Sequence, residues 1–113
     1  MGNLAAQSCE PCKGDSPAVP EREWGELLGE LPGWHIVERE GVPRLTRDYR
    51  LADFAAALEA AQAVGALAEA ENHHPELVAA YGRLTVSWWT HAIDGLHKND
   101  FIMAARTEEA LNT

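Results

Sequence analysis

Between Asp53 and about Ala70 the chain carries a continuous helical pattern, and it runs out into Asn72-His73-His74-Pro75. Phe54, Ala57, Leu58, Ala61, Val64, Gly65 and Ala68 recur at steps of three and four, which predicts a single apolar stripe. Many of these side chains are small, so the helix is expected to lie close against a sheet. That close packing would explain Gly65, which mid-helix costs about 1 kcal/mol relative to Ala. Pro75 biases His74 towards extended backbone and so sets the helix end just upstream. A length of 113 residues allows one compact core around this element.

Residues 1–18 are small, polar and turn-forming and read as an irregular extension, leaving residues 19–113 as one domain. A first helix is expected after Pro20, with Glu21 and Glu23 at its positive end and Trp24, Leu27, Leu28 and Leu31 at helical spacing. Pro32-Gly33 stops it. Trp34–Glu38 and Leu45–Tyr49 have strand composition, and Arg39–Pro43 supplies the turn between them. His35 reads as a partly exposed sheet residue.

Leu77–Tyr81 and Arg83–Trp89, on either side of Gly82, form a second hairpin. Alternation puts Leu84, Val86 and Trp88 towards the helices, and Thr85, Ser87, Trp89 and His91 on the other face. That second set is polar with one large aromatic, which fits a wet face or a subunit contact. Ile93–Leu96 reads as a loop. Asn99 is the expected N-cap of a last helix, with Asp100 in its first turn and Phe101, Ala104, Ala105 and Leu111 on its apolar side. The order α-β-β-α-β-β-α predicts an α+β domain: a four-stranded antiparallel sheet with three helices packed on one face.

A formal charge of −9 argues against direct contact with nucleic acid, whose phosphates demand a basic surface. No apolar run has the length to cross a bilayer, and Met1–Ala6 carries no export signal, so a cytoplasmic location is expected. Cys9 and Cys12 form a Cys-x-x-Cys with no second pair to complete a zinc site and no preceding strand for a thioredoxin-like role. One alternative is a zinc protein in which histidines complete the set. Glycine-rich phosphate loops, dinucleotide fingerprints and nucleophile elbows are missing from the sequence.

The chemistry left over belongs to imidazoles. Glu69 stands four residues before His73, so a helix reaching His73 would let the carboxylate accept its hydrogen bond and fix its tautomer. Adjacent His73 and His74 point in different directions in regular structure, which makes a shared grip on one metal awkward. A three-histidine metal site with His91 is the metal-binding alternative. His97 has no partner at a telling spacing and reads as a surface residue. On the residues alone, a structural or exposed pair stands level with a catalytic one. The sharper expectation is that His73, His74 and His91 meet in one cleft and move protons.

Glu69, His73-His74-Pro75, Tyr81, Thr90-His91, Gly95-Leu96 and Asp100 together resemble the pterin-4a-carbinolamine dehydratases, each at that family's spacing. A weaker similarity reaches back through Phe54, Asp53, Leu51 and Tyr49 to Trp34, so it covers roughly residues 20–111. Leu77 departs from the pattern, since some relatives carry an aromatic there.

The resemblance implies a small α+β enzyme that dehydrates 4a-hydroxytetrahydropterins to quinonoid dihydropterins without metal or bound cofactor. The step serves tetrahydropterin recycling for an aromatic amino acid hydroxylase. By position, His73, His74 and His91 inherit the catalytic roles and Glu69 and Asp100 supporting ones, with His74 and Pro75 at the substrate. A homodimer or homotetramer is implied as well. The alternative on the same scaffold is a non-catalytic dimerising, assembly or coactivator-type interaction protein.

Overall fold

A computed structural model of the chain describes residues 4–6 and 17–111. Its elements are α1 (Glu21–Leu28), β1 (His35–Arg39), β2 (Val42–Arg50), α2 (Phe54–Glu71), β3 (Glu76–Ala80), β4 (Arg83–Trp88) and α3 (Lys98–Leu111). Short 3-10 turns occupy Leu4–Ala6 and His91–Ile93. All neighbouring strands pair antiparallel in the order β1-β2-β4-β3, so the expected α+β architecture is the one observed. Cys9 and Cys12 lie outside the described residues.

Leu45 and Tyr49 of β2 and Leu84, Val86 and Trp88 of β4 point to the helix side and are buried. Phe101, Ile102, Met103 and Ala104 of α3 close over them, while Trp24, Leu27 and Leu28 of α1 pack at the margin of the same cluster. Leu4 joins this core, and the guanidinium Nε of Arg106 donates to the Ala5 carbonyl, so Leu4–Ala6 is docked on α3.

The first hairpin turns on two residues, Glu40 and Gly41, both at positive φ, the geometry that suits the twist of paired strands. Val42 and Pro43 therefore belong to β2 and not to the turn. Gly33 also has positive φ, and an added Cβ there would come within 2.8 Å of Arg47 Cζ. Arg47 donates to the Pro32 carbonyl at 3.0 Å and pairs with Glu108, whose other oxygen accepts from Tyr49 Oη at 2.8 Å. Burial, reinforced by the hydrogen bond to the Glu108 carboxylate, pushes the Tyr49 phenol far above its ordinary value.

The α2 stripe differs from the expected one. Ala57, Ala60, Val64 and Ala68 face the core, whereas Phe54 and Leu58 are 44% and 47% exposed. The helix turns three alanines and a valine to the core, which lets it approach the sheet closely. Leu67 packs at the margin, and Phe54 and Leu58 are carried outward. Gly65 is not explained by tight packing, because a Cβ built there meets nothing within 4 Å. Asp53 caps the helix through a 2.8 Å bond from Ala56 N–H to its carboxylate.

At the other end Asn72 takes the left-handed conformation at φ 52. Asn72 N–H donates to the Glu69 carbonyl and His73 N–H to that of Ala68, a Schellman closure. The helix thus ends at Glu71, and His73 leaves its axis.

Candidate active site

His73 is aimed by that closure towards the start of α3. Its Nε2 lies 2.6 Å from Asp100 Oδ1, an imidazole N–H donating to a carboxylate. Asp100 is fully buried, and its second oxygen accepts from Thr90 Oγ at 2.8 Å and from the His97 backbone N–H at 2.9 Å. One carboxylate therefore joins the end of α2, the end of β4 and the first turn of α3. The charge is met by three donors, as a buried carboxylate requires.

The expected N-cap of α3 was Asn99, but His97 fills that place. His97 Nδ1 accepts from Asn99 N–H at 3.0 Å, while Asp100 accepts from the His97 N–H in return, a reciprocal capping box. His97 is accordingly buried and not a surface residue. Because its Nδ1 accepts, its proton sits on Nε2.

Trp88 supports the other side of His73. The two rings are stacked, with centroids 5.8 Å apart and planes at 6°. Trp88 Nε1 donates to Thr107 Oγ at 3.2 Å, and Thr107 donates to the Met103 carbonyl at 2.7 Å, which fixes the indole in turn. With Nε2 committed to Asp100, Nδ1 of His73 is the nitrogen without a hydrogen bond among the described residues. It is the one through which this ring can take up or deliver a proton.

The remaining expected residues fall around this centre less closely. Glu69 was expected to hold His73; it holds His74 instead, Oε2 to Nε2 at 2.5 Å, because the helix stops before His73. Both partners of that pair are exposed. Pro75 follows at half burial and leads directly into β3.

His91 is exposed and opens the 3-10 turn after β4. Its ring lies 4.6 Å from that of Trp89, which is itself buried beneath the Arg44 guanidinium at 4.0 Å. Asp100 reaches Thr90, the residue before His91, and not the His91 ring. His73 and His91 stand at the same end of β4 against successive tryptophans, and no hydrogen bond or ring contact joins them among the described residues.

Thr90, Trp88 and His97 are thus part of the arrangement without having been singled out for it. Thr90 was visible only as the neighbour of His91. The His97-x-x-Asp100 spacing is that of a capping box, but with His in place of Ser or Thr. Among the described residues, no three His, Cys, Asp or Glu side chains come together as a metal site. No helix among them is long and apolar enough to cross a membrane.

Comparison with known proteins gives a consistent result. The sequence model of the family described as "Pterin 4 alpha carbinolamine dehydratase" matches residues 17–110. A Gloeobacter violaceus protein named "Putative pterin-4-alpha-carbinolamine dehydratase 1" is 53% identical over 94% of this chain and 91% of its own length. A Chlorobium luteolum protein named "Putative pterin-4-alpha-carbinolamine dehydratase" is 50% identical over 96% of each. Among solved structures, the "transcriptional coactivator/pterin dehydratase" of Brucella melitensis superposes with a TM-score of 0.75 at 32% identity. That match covers 83% of this chain and 98% of the other.

Proposed function

Since the chain belongs to the pterin-4-alpha-carbinolamine dehydratase family, we propose that it eliminates water from a 4a-hydroxytetrahydropterin to give the quinonoid dihydropterin. The observation that carries this reading is the buried Asp100 carboxylate, which fixes His73 by one nitrogen and leaves the other available.

The reaction breaks the C4a–O bond and removes a proton from N5. The N5 lone pair forms the C4a–N5 double bond, and the departing hydroxyl leaves as water once protonated. Two positioned imidazoles suffice for both transfers, each contributing about 10²–10⁴-fold. His73 and His91 form the acid–base pair in this reading, and a flat substrate laid across the end of β4 would touch both. His74 and Pro75 contact the pterin at its edge, Asp100 positions His73, and Glu69 steadies His74. A separate reductase would return the product to the tetrahydropterin used by an aromatic amino acid hydroxylase.

The direct test follows quinonoid dihydropterin formation from synthetic carbinolamine with and without the protein. Acceleration is expected, with large losses in His73→Ala and His91→Ala. Wild-type rates in both variants would remove those rings from the chemistry.

Phe54 and Leu58, one turn apart and exposed on α2, favour a second element of the reading, association of copies through that helix face. A homodimer or homotetramer should dissociate in Phe54→Glu/Leu58→Glu when mass is measured by light scattering. The Brucella melitensis protein is named a transcriptional coactivator as well as a dehydratase, and an interaction-only role would act through such a surface. A stoichiometric protein partner without any dehydration would favour that alternative.

A further inference from the structure

The side of the sheet away from the helices carries a charge opposite to that of the whole protein. Strand register places Arg39, Arg44, Arg50 and Arg83 on this face, with Asp48 and Glu76 as its acids. The chain as a whole has nine Lys and Arg against eighteen Asp and Glu, so four of the nine cations share one face with only two of the acids. Arg50 and Arg83 even stand directly opposite each other in the ladder, an arrangement that is unfavourable unless an anion lies nearby.

A hollow of about 270 Å³ opens on this face. Arg39, Arg44 and Arg83 line it together with Glu76, and Thr46, Thr85 and Ser87 belong to the lining as well. Three guanidiniums against one carboxylate leave the lining with two positive charges.

Arg44 is held in place for binding. Its guanidinium lies on the Trp89 ring, its Nη1 is 3.6 Å from Glu76 Oε1, and its side chain is only 16% exposed. Its Nε is buried and has no hydrogen-bond partner among the described residues. A buried N–H donor left without an acceptor is costly, so this guanidinium is short of one hydrogen bond, and an oxyanion in the hollow would meet it through its outer N–H groups.

We propose that this hollow binds a small-molecule phosphate monoester. Such a group carries a charge of about −1.5 to −2 at neutral pH and matches the two positive charges of the lining. Its oxygens suit the planar donor fork of arginine. The volume accommodates the phosphate and a short organic body. None of the hollow's residues belongs to the network of His73, Asp100 and Thr90; its link to the proposed acid–base pair is the Arg44–Trp89–His91 stack at its edge.

The test is a titration of the full chain at low salt, reading the arginine Nε–H resonances by NMR. Glycerol 3-phosphate and inorganic phosphate are the two probes. A saturable shift of the Arg44 Nε–H signal is expected, with the ester binding at least tenfold tighter. Arg44→Met and Arg83→Met should each weaken binding tenfold or more. Arg83 is exposed, so its variant keeps the test valid if Arg44→Met unfolds. Arg22→Met, on α1, should bind like the unaltered protein. Equal affinity for the two probes would overturn the ester and assign free phosphate to the site. No saturable shift, or an equal loss in Arg22→Met, would overturn the site itself.

Discussion

His73 and His74 are neighbours in the chain, and each lies within hydrogen-bond distance of one carboxylate. His73 and Asp100 are 2.6 Å apart with side chains 11% and 0% exposed; His74 and Glu69 are 2.5 Å apart with side chains 51% and 77% exposed. Contact length hardly separates the pairs, and surroundings separate them completely. Asp100 is held by two further donors that would be orphaned without it, whereas water can replace either member of the exposed pair. The lesson is that the strength of an imidazole–carboxylate contact is set by what else the carboxylate must satisfy.

The largest expected effect tests the buried side. Asp100→Ala should lose about 3–5 kcal/mol in urea denaturation, because Thr90, His97 N–H and His73 all lose their acceptor. Asp100→Asn keeps the volume and should still reduce dehydration at least about 10²-fold. Trp88→Leu removes the stacking surface under His73 and the donor to Thr107. A loss of about 2–3 kcal/mol is expected, less than the cost of full truncation, with kcat falling alongside.

The Tyr49–Glu108 contact offers a third carboxylate, half-buried and shared between a neutral phenol and the Arg47 guanidinium. Its raised phenol pKa means that its contribution is fully present below about pH 10 and is lost as pH rises above that. Denaturation midpoints should fall from pH 9 to pH 11, and Tyr49→Phe should flatten the decline.

Smaller effects belong to α2 near the exposed pair. Gly65→Ala, one turn before Glu69, enters open space and should stabilise by about 0.5–1 kcal/mol. Glu69→Ala should change stability by less than about 1 kcal/mol and by nothing measurable in high salt. A loss as large as that of Asp100→Ala would break the comparison between the two pairs.

Local pattern carries the fold. Alternation along Arg83–Trp88, the turn residues around Gly41 and Gly82, and the Asp53 and Pro75 boundaries are all short-range signals, and each element forms where they point. The stripe on α2 is rotated from the expected one because periodicity counts apolar positions without weighing their size. Within the site, Glu69 pairs differently from its spacing because one left-handed residue, Asn72, ends the helix before His73. The Asp100–His73 bond spans 27 positions, and no periodicity links residues that far apart. His97 escapes notice as a cap because histidine leaves no composition signal of the kind that Ser or Asp does.

Asp100 belongs to the last fourteen-residue helix of the described chain, and this has a consequence for biosynthesis. A nascent polypeptide can make both hairpins and α2 while still emerging from the ribosome, yet His73 has no anchor until α3 has also emerged and docks. The His73–Asp100 bond should therefore form only after α3 has been made, and chains truncated before Asp100 should leave His73 unanchored.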